Sequence, residues 1–484
     1  MLFNSVAFLV FLPIVFILYW FVFNRTIKRQ NLLILVASYF FYGWWSWKFL
    51  ILLAVSTVLD FLYGFGVASK KRKKSTLFLW LSIINNLGIL VLFKYYNFFA
   101  AQFQRSFELV GLHIHPALLH IALPVGISFY TFHGMSYVFD IYRGVRKPVT
   151  SIIDYAVFVC FFPLLVAGPI ERANHLLPQV QQKRIFNYKQ AVEGGLLILW
   201  GMFKKMVIAD GLSFIVDEIF KQYTDHNAFC LILGAIGFSF QLYGDFSGYS
   251  DIALGTSKLL GFELLSNFKF PYFSRNIAEF WRRWHISLSS WFKDYLYIPL
   301  GGSKKGKLIA VRNTLIIFLA SGFWHGASWH YIVWGGIHAL AFMPLLLLNK
   351  NRQHITEVVA YERKLPNLKE LWQMISTFLF VTFALVFFRM NTVSEAFGYC
   401  KRVIVNSIQE PRQYFKNPGG LSIFLYVIPF VLIDWWMRRN ERVIRLTNIK
   451  FINWLIATVM IFFIINAFMR SLYAKPTNFI YFQF

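Results

Sequence analysis

Long apolar runs alternate with short basic loops along almost the whole chain. The runs cover residues 2–23, 31–44, 49–68, 77–95, 118–140, 191–220, 229–243, 311–328, 331–348, 371–388, 421–436 and 451–468. At ~1.5 Å per residue, most are long enough to cross a hydrocarbon core of about 30 Å as a helix. Basic residues mark the turns: Arg25, Lys28 and Arg29; Lys70 to Lys74; Arg143, Arg146 and Lys147; Lys304, Lys305 and Lys307; Arg438, Arg439, Arg442 and Arg445. Putting these loops on the cytoplasmic side, as the positive-inside rule requires, predicts about 11 or 12 transmembrane helices. The first run has no basic segment ahead of it and is expected to be a transmembrane helix rather than a cleaved signal.

One stretch breaks the alternation. Residues 155–170 are apolar but contain Pro163, Gly168 and Pro169. A full crossing here would turn every later basic loop to the opposite side. The stretch is therefore predicted to be re-entrant. Non-helical backbone at membrane depth is tolerated only inside protein or along a cavity, so F-F-P-L-L-V-A-G-P-I is expected to form a cavity wall.

Composition agrees with the pattern. The chain is 57% hydrophobic and 14% charged, against about 25% charged in a soluble domain. The expectation is an all-α polytopic membrane protein, one membrane domain over 1–484, with re-entrant and interfacial helices besides the spans. The net charge of +26 sits in the short loops, which makes lipid the partner and argues against nucleic acid. Cys160, Cys230 and Cys400 are too scattered for a disulfide framework or a metal motif.

Chemistry concentrates between Trp281 and Tyr331. His325 lies in W-H-G-A-S-W, about 20 Å up an apolar helix from Arg312 at ~1.5 Å per residue. An imidazole at that depth is either a satisfied core residue or a general base that takes a proton from a hydroxyl. Trp324 and Trp329 beside it, with Gly322 and Gly326, suit a narrow tunnel. His285 falls on a predicted helix over 280–295, sharing a face with Trp281, Leu288 and Phe292. That helix reads either as interfacial, with snorkelling Arg282, Arg283 and Lys293, or as the lining of a cytoplasmic mouth that faces an anionic ligand. G-G-S-K-K-G-K at 301–307 lacks the spacing of a phosphate-binding loop, and His325 with His330 lacks the one-turn spacing of a zinc site. No G-x-S-x-G elbow offers a nucleophilic serine. Asp245 and Asp251 are expected to pair with Ser247, Ser250 or a basic neighbour, His133 to make a helix–helix hydrogen bond, and Arg389 either to bind a carboxylate or to snorkel outward.

Several segments together resemble the membrane-bound O-acyltransferases, and within them the bacterial alginate O-acetylase branch. They are L-P-V-G-I-S-F-Y-T-F (123–132), F-F-P-L-L-V-A-G-P-I (161–170), F-K-K-M-V-I-A-D (203–210), D-F-S-G-Y-S-D-I-A (245–253), F-W-R-R-W-H-I-S-L-S-S-W-F-K-D-Y (280–295), W-H-G-A-S-W (324–329) and F-I-Y-F-Q-F (479–484). The resemblance implies a ring of tilted helices around a thin centre pierced by a central tunnel. It makes His325 the catalytic histidine and His285 the second histidine. Trp281, Arg282, Trp284, Trp324, Asp245 and Ser247 are expected to contact substrate. The implied donor is acetyl-CoA, with no cofactor held permanently. The implied acceptor is an extracytoplasmic polysaccharide such as alginate, reached directly or through an SGNH-type acetyltransferase partner, at the bacterial cytoplasmic (inner) membrane. Alternatives are D-alanyl transfer toward teichoic acid, peptidoglycan O-acetylation, or transport of a polysaccharide or lipid precursor. The absence of a sequence repeat counts against the transporter.

Overall fold

The computed structural model describes residues 1–119, 121–166, 168–409, 420–442 and 450–473. Arg445, Ala167 and the motif at 479–484 lie outside the described residues. Every regular element among the described residues is helical, and the chain falls into two compact units.

The first unit joins Met1–Gly195 with Ala253–Leu265. It contains α1 (Val6–Ile17), α2 (Ile27–Gly43), α3 (Trp47–Val67), α4 (Arg72–Leu90), α5 (Tyr96–Glu108), α6 (Ile127–Tyr142), α7 (Ile152–Cys160), α8 (Phe162–Leu165) and α9 (Ala173–Gln181). Ser5, Thr26 and Ser151 start their helices by accepting a first-turn backbone N–H, which satisfies an otherwise orphaned donor. The run expected to cross over 118–140 becomes helical only at Ile127, since Pro116 and Pro124 keep the stretch before it out of a helix. The stretch at 155–170 is broken, as expected: the helix stops at Phe161 and one further turn follows. Every residue from Tyr155 to Val166 is buried, so this irregular backbone is enclosed by protein. Buried Arg184 ties the unit together, donating to the Tyr19 hydroxyl at 2.6 Å, Asn31 Oδ1 at 2.7 Å and the Val180 carbonyl at 2.8 Å. His133 Nε2 accepts the Glu171 N–H at 3.0 Å.

The second unit joins Leu196–Ile252 with Ser266–Phe484. The chain enters it within α10 (Tyr188–Met202), widens into a π turn at Phe203–Ala209, and continues as α11 (Asp210–Lys221) and α12 (Ala228–Leu259). Then follow α13 (Ile277–Arg283), α14 (Ile286–Phe292), α15 (Lys307–His325), α16 (Trp329–Leu347), α17 (Leu368–Arg389), α18 (Val393–Gln409), α19 (Ile423–Met437) and α20 (Lys450–Tyr473). Two expectations change here. The run 229–243 does not end at the D-F-S-G-Y-S-D motif, because α12 carries helix straight through it. Nor is 280–295 one helix: α13 and α14 are separated by extended Trp284 (φ −104°, ψ 127°) and left-handed His285 (φ 43°, ψ 54°).

Seven helical stretches among the described residues are long and apolar enough to cross a membrane: Trp47–Val67, Arg72–Glu108, Ala228–Leu259, Lys307–His325, Trp329–Leu347, Leu368–Arg389 and Phe451–Arg470. Two shorter apolar stretches, Val6–Val22 and Ile423–Met437, join them. The count falls below the expected 11 or 12 because other apolar runs make shorter helices. α2 has 17 residues and α6 has 16, and the 191–220 run is interrupted by buried lysines.

Candidate active site

His325 is the last residue of α15, where extended Gly326 ends the helix. Its side chain is buried inside an aromatic shell. The Trp324, Trp334 and Phe388 rings lie 4.8, 5.1 and 5.2 Å from the imidazole centre. α15 and α16 can carry this shell only because their backbones touch. A side chain on Gly322 would collide with the Tyr331 carbonyl, and one on Gly335 with the Phe318 carbonyl. The hairpin therefore brings Trp334 of α16 against His325 of α15 and His338 to the same cavity. A cavity of about 10 Å³ remains there, lined among others by Trp284, His325, Trp334, His338 and Phe388.

His285 lies outside that cavity's lining, packed against Trp324. Its backbone lies in the left-handed region that non-glycine residues rarely occupy, a strain that persists only where the surroundings hold it. Asn267 supplies much of that hold. The Ile286 N–H bonds the Asn267 carbonyl at 2.9 Å, Ser287 Oγ donates to Asn267 Oδ1 at 2.6 Å, and Asn267 Nδ2 donates to Ser250 Oγ at 3.2 Å. This network fixes the amide orientation. The imidazole is then held by Nδ1–H donating to Asn267 Oδ1 at 3.3 Å. Nε2 carries the lone pair and is buried without a hydrogen-bond partner. Burial pushes the imidazole pKa down to about 3, so His285 is neutral at pH 7. Trp324 lies between the two histidines, its ring packing on both His285 (5.7 Å) and His325 (4.8 Å).

The substrate-contact residues expected from sequence do not all converge. Trp284 lines the small cavity, and Trp324 packs on His325 beside it. Trp281 is one layer out, its indole N–H donating to His338 Nδ1 at 3.3 Å. It also lines a second cavity of about 580 Å³ with Ser289, Lys293, Thr314, Phe318 and Arg352. Trp281 and Phe318 pack on His338, so one aromatic layer separates the large cavity from the small one. The Arg282 guanidinium donates to the Asn351 and Gln353 carbonyls at 2.7 and 2.6 Å. Arg283 is likewise engaged, pairing with buried Glu279 at 2.8 Å, and Arg275 pairs with the same carboxylate at 3.0 Å. Burial alone would raise the Glu279 pKa, but the two guanidiniums hold it below the usual carboxylate value.

Asp245 and Ser247 lie in a different cluster. Lys204 of the π turn pairs with Asp251 at 2.7 Å and donates to Ser247 at 2.9 Å; Lys205 pairs with Asp210 at 2.7 Å and Asp245 at 2.8 Å. Gly248 permits this approach, since a Cβ there would sit 2.8 Å from the Gly201 carbonyl oxygen. The pairing expected for both aspartates is present, with lysines as the partners. Arg389 binds the Asp217 carboxylate at 2.6 Å.

Sequence reasoning did not single out Asn267, His338 or Trp334. Only the α15–α16 hairpin and the Asn267 turn bring them to the histidines. His338 in W-G-G-I-H-A reads as one more residue of an apolar helix.

Comparison with known proteins agrees with this architecture. Residues 142–388 match the family model for membrane-bound O-acyltransferases. The chain is 43% identical over 346 residues to a probable alginate O-acetylase of Pseudomonas syringae pv. tomato, covering 70% of this chain and 65% of that protein's own length. It is 40% identical over 446 residues to a probable alginate O-acetylase of Pseudomonas aeruginosa, covering 91% and 82% of the two chains. A peptidoglycan O-acetyltransferase of Helicobacter pylori is 34% identical over 435 residues, covering 84% and 80%. The chain belongs to the membrane-bound O-acyltransferase family, as a multi-pass helical membrane protein and an O-acyltransferase.

Proposed function

We propose that this chain moves an acetyl group from a cytoplasmic thioester, acetyl-CoA, to a hydroxyl on the far side of a bacterial cytoplasmic membrane. His325 is the general base, and the observation that carries the reading is its position. It is a buried imidazole at the end of an apolar helix, beside a small cavity and one aromatic layer from a large one. The hydroxyl oxygen attacks the thioester carbonyl while His325 takes its proton. The tetrahedral intermediate then expels the thiolate, which takes the proton back from His325. His285, neutral and held by Asn267, offers a lone pair to a neighbouring O–H or N–H of the acceptor, leaving the reacting hydroxyl proton to His325.

The large cavity suits the donor. About 580 Å³ is within the usual range for a small-molecule site, and Lys293 and Arg352 complement the phosphates of a coenzyme A. The acceptor is an alginate-like extracytoplasmic polysaccharide, or the serine of an SGNH-type partner that passes the acetyl group on. The relatives named for alginate O-acetylation support the first acceptor; the Helicobacter relative keeps peptidoglycan as an alternative. Membranes containing the chain are expected to transfer label from radiolabelled acetyl-CoA to polymer, and His325→Ala membranes with equal protein to transfer none. Normal labelling by His325→Ala rules out the base. Labelling from a D-alanyl carrier but not from acetyl-CoA rules out the donor.

A further inference from the structure

We infer that His338 and Trp334 form the site that receives the negative charge of the tetrahedral intermediate, so that the chamber contains a third catalytic histidine. This inference rests on the acyl-transfer reading above.

The argument starts from a tautomer. The Trp281 indole nitrogen is a donor only. It donates to His338 Nδ1 at 3.3 Å, so that nitrogen carries the lone pair. The proton of neutral His338 must then be on Nε2. His338 is fully buried, and its Nε2 has no hydrogen-bond partner. Trp334 is also buried, and its Nε1–H likewise has none. Buried donors left unmade cost free energy and are uncommon in folded proteins. Here two of them line the same cavity as His325. The rings adjoin as well: Trp334 lies 5.1 Å from His325 and 5.0 Å from His338. A cavity of about 10 Å³ is near the minimum that admits one water-sized atom.

That arrangement is what acyl transfer requires opposite its base. When the hydroxyl oxygen bonds the thioester carbon, the carbonyl π electrons move onto the carbonyl oxygen. N–H donors fixed in a dry site stabilise that oxygen more than they stabilise the ground-state carbonyl. When the thiolate leaves, the electrons return to the C=O bond. His338 and Trp334 keep their protons throughout, and only His325 exchanges one.

Two substitutions at one position separate donor from scaffold. His338→Asn places a carbonyl oxygen where Nδ1 stood, keeps an acceptor for Trp281 and removes the Nε2–H. His338→Gln restores an N–H near the Nε2 position. With acetyl-CoA as donor, His338→Asn is expected to lower kcat by ~10²–10³-fold, the usual loss for one oxyanion donor, with KM little changed. His338→Gln is expected to recover most of that loss. A wild-type kcat in His338→Asn overturns the inference, as does equal loss in both variants, which would mark a role in ring packing. If His338→Asn fails to accumulate in membranes, Trp334→Phe decides, since it keeps a ring and removes the second N–H; an unchanged kcat there overturns the two-donor site. His325→Ala assayed alongside keeps the two readings distinct. Activity in that variant removes the base but leaves the Asn-to-Gln ratio at 338 as an independent result.

Discussion

The second unit contains two buried polar regions built on opposite terms. Around the π turn, Lys204 and Lys205 meet Asp210, Asp245, Asp251 and Ser247, and both ammonium groups are matched at 2.7–2.9 Å. Around the α15–α16 hairpin, His285 Nε2, His338 Nε2 and Trp334 Nε1 are buried with no partner. Charge pairs drawn out of water keep their place only if each is answered, and breaking one is costly. The first region holds the fold; the second keeps donors and lone pairs uncommitted, which is what the proposed reaction draws on.

This contrast can be broken by experiment. The largest effect is expected at the chamber: His325→Ala should abolish acetyl transfer, a loss above about 10³-fold for a general base that also orients its substrate, while membrane insertion stays normal. Lys205→Met should do the reverse. It strands Asp210 and Asp245, and the expected destabilisation is about 3–5 kcal/mol, read as a lower Tm of the detergent-solubilised protein. Adding Asp245→Asn should restore part of it. If Lys205→Met leaves Tm unchanged and removes activity, the division between the two regions fails.

Asn267→Ala touches the hold on His285. It leaves His285 Nδ1 short of a partner, at about 1–3 kcal/mol, and should reduce activity because the ring loses its orientation. At neutral pH the smallest effect is at His285, where a pH slope opens only below neutrality. The His285 pKa is about 3 in the fold against an ordinary 6.5, so the unfolded chain takes up the proton first. Its contribution to stability is complete above pH 6.5 and falls as pH drops toward 3, by about 1.4 kcal/mol per unit. His285→Gln should flatten that slope in Tm measured against pH; an unchanged slope means that the imidazole is not held neutral.

Much of the fold was legible because lipid enforces long apolar runs. The broken, enclosed stretch at 155–170 announced itself through Pro163, Gly168 and Pro169. The break at His285 did not, since Trp281, Trp284, Leu288 and Phe292 keep helical spacing across it. Burial on both sides of a kink leaves the same pattern as burial along one helix. The D-F-S-G-Y-S-D motif looked like a membrane boundary because aspartates there are expensive. Its lysine partners come from the preceding π turn, and Gly201 and Gly248 let the backbones close enough to join them. His325 and His285 were legible through their tryptophan neighbours. His338 was not, because its role depends on which ring nitrogen Trp281 occupies, and that is decided only in three dimensions.

The glycine contacts between α15 and α16 have a mechanical consequence. With Gly322 against Tyr331 and Gly335 against Phe318, the hairpin bearing His325, Trp334 and His338 is an anvil whose two halves cannot part without losing their seam. A chamber of about 10 Å³ has space for about one water-sized atom, and this side of it is closed by backbone against backbone. Room for an acetyl group must therefore come from side chains of the other walls, Leu242 of α12, Phe280 and Trp284 at the end of α13, and Phe388 of α17, which can change rotamer where a glycine seam cannot.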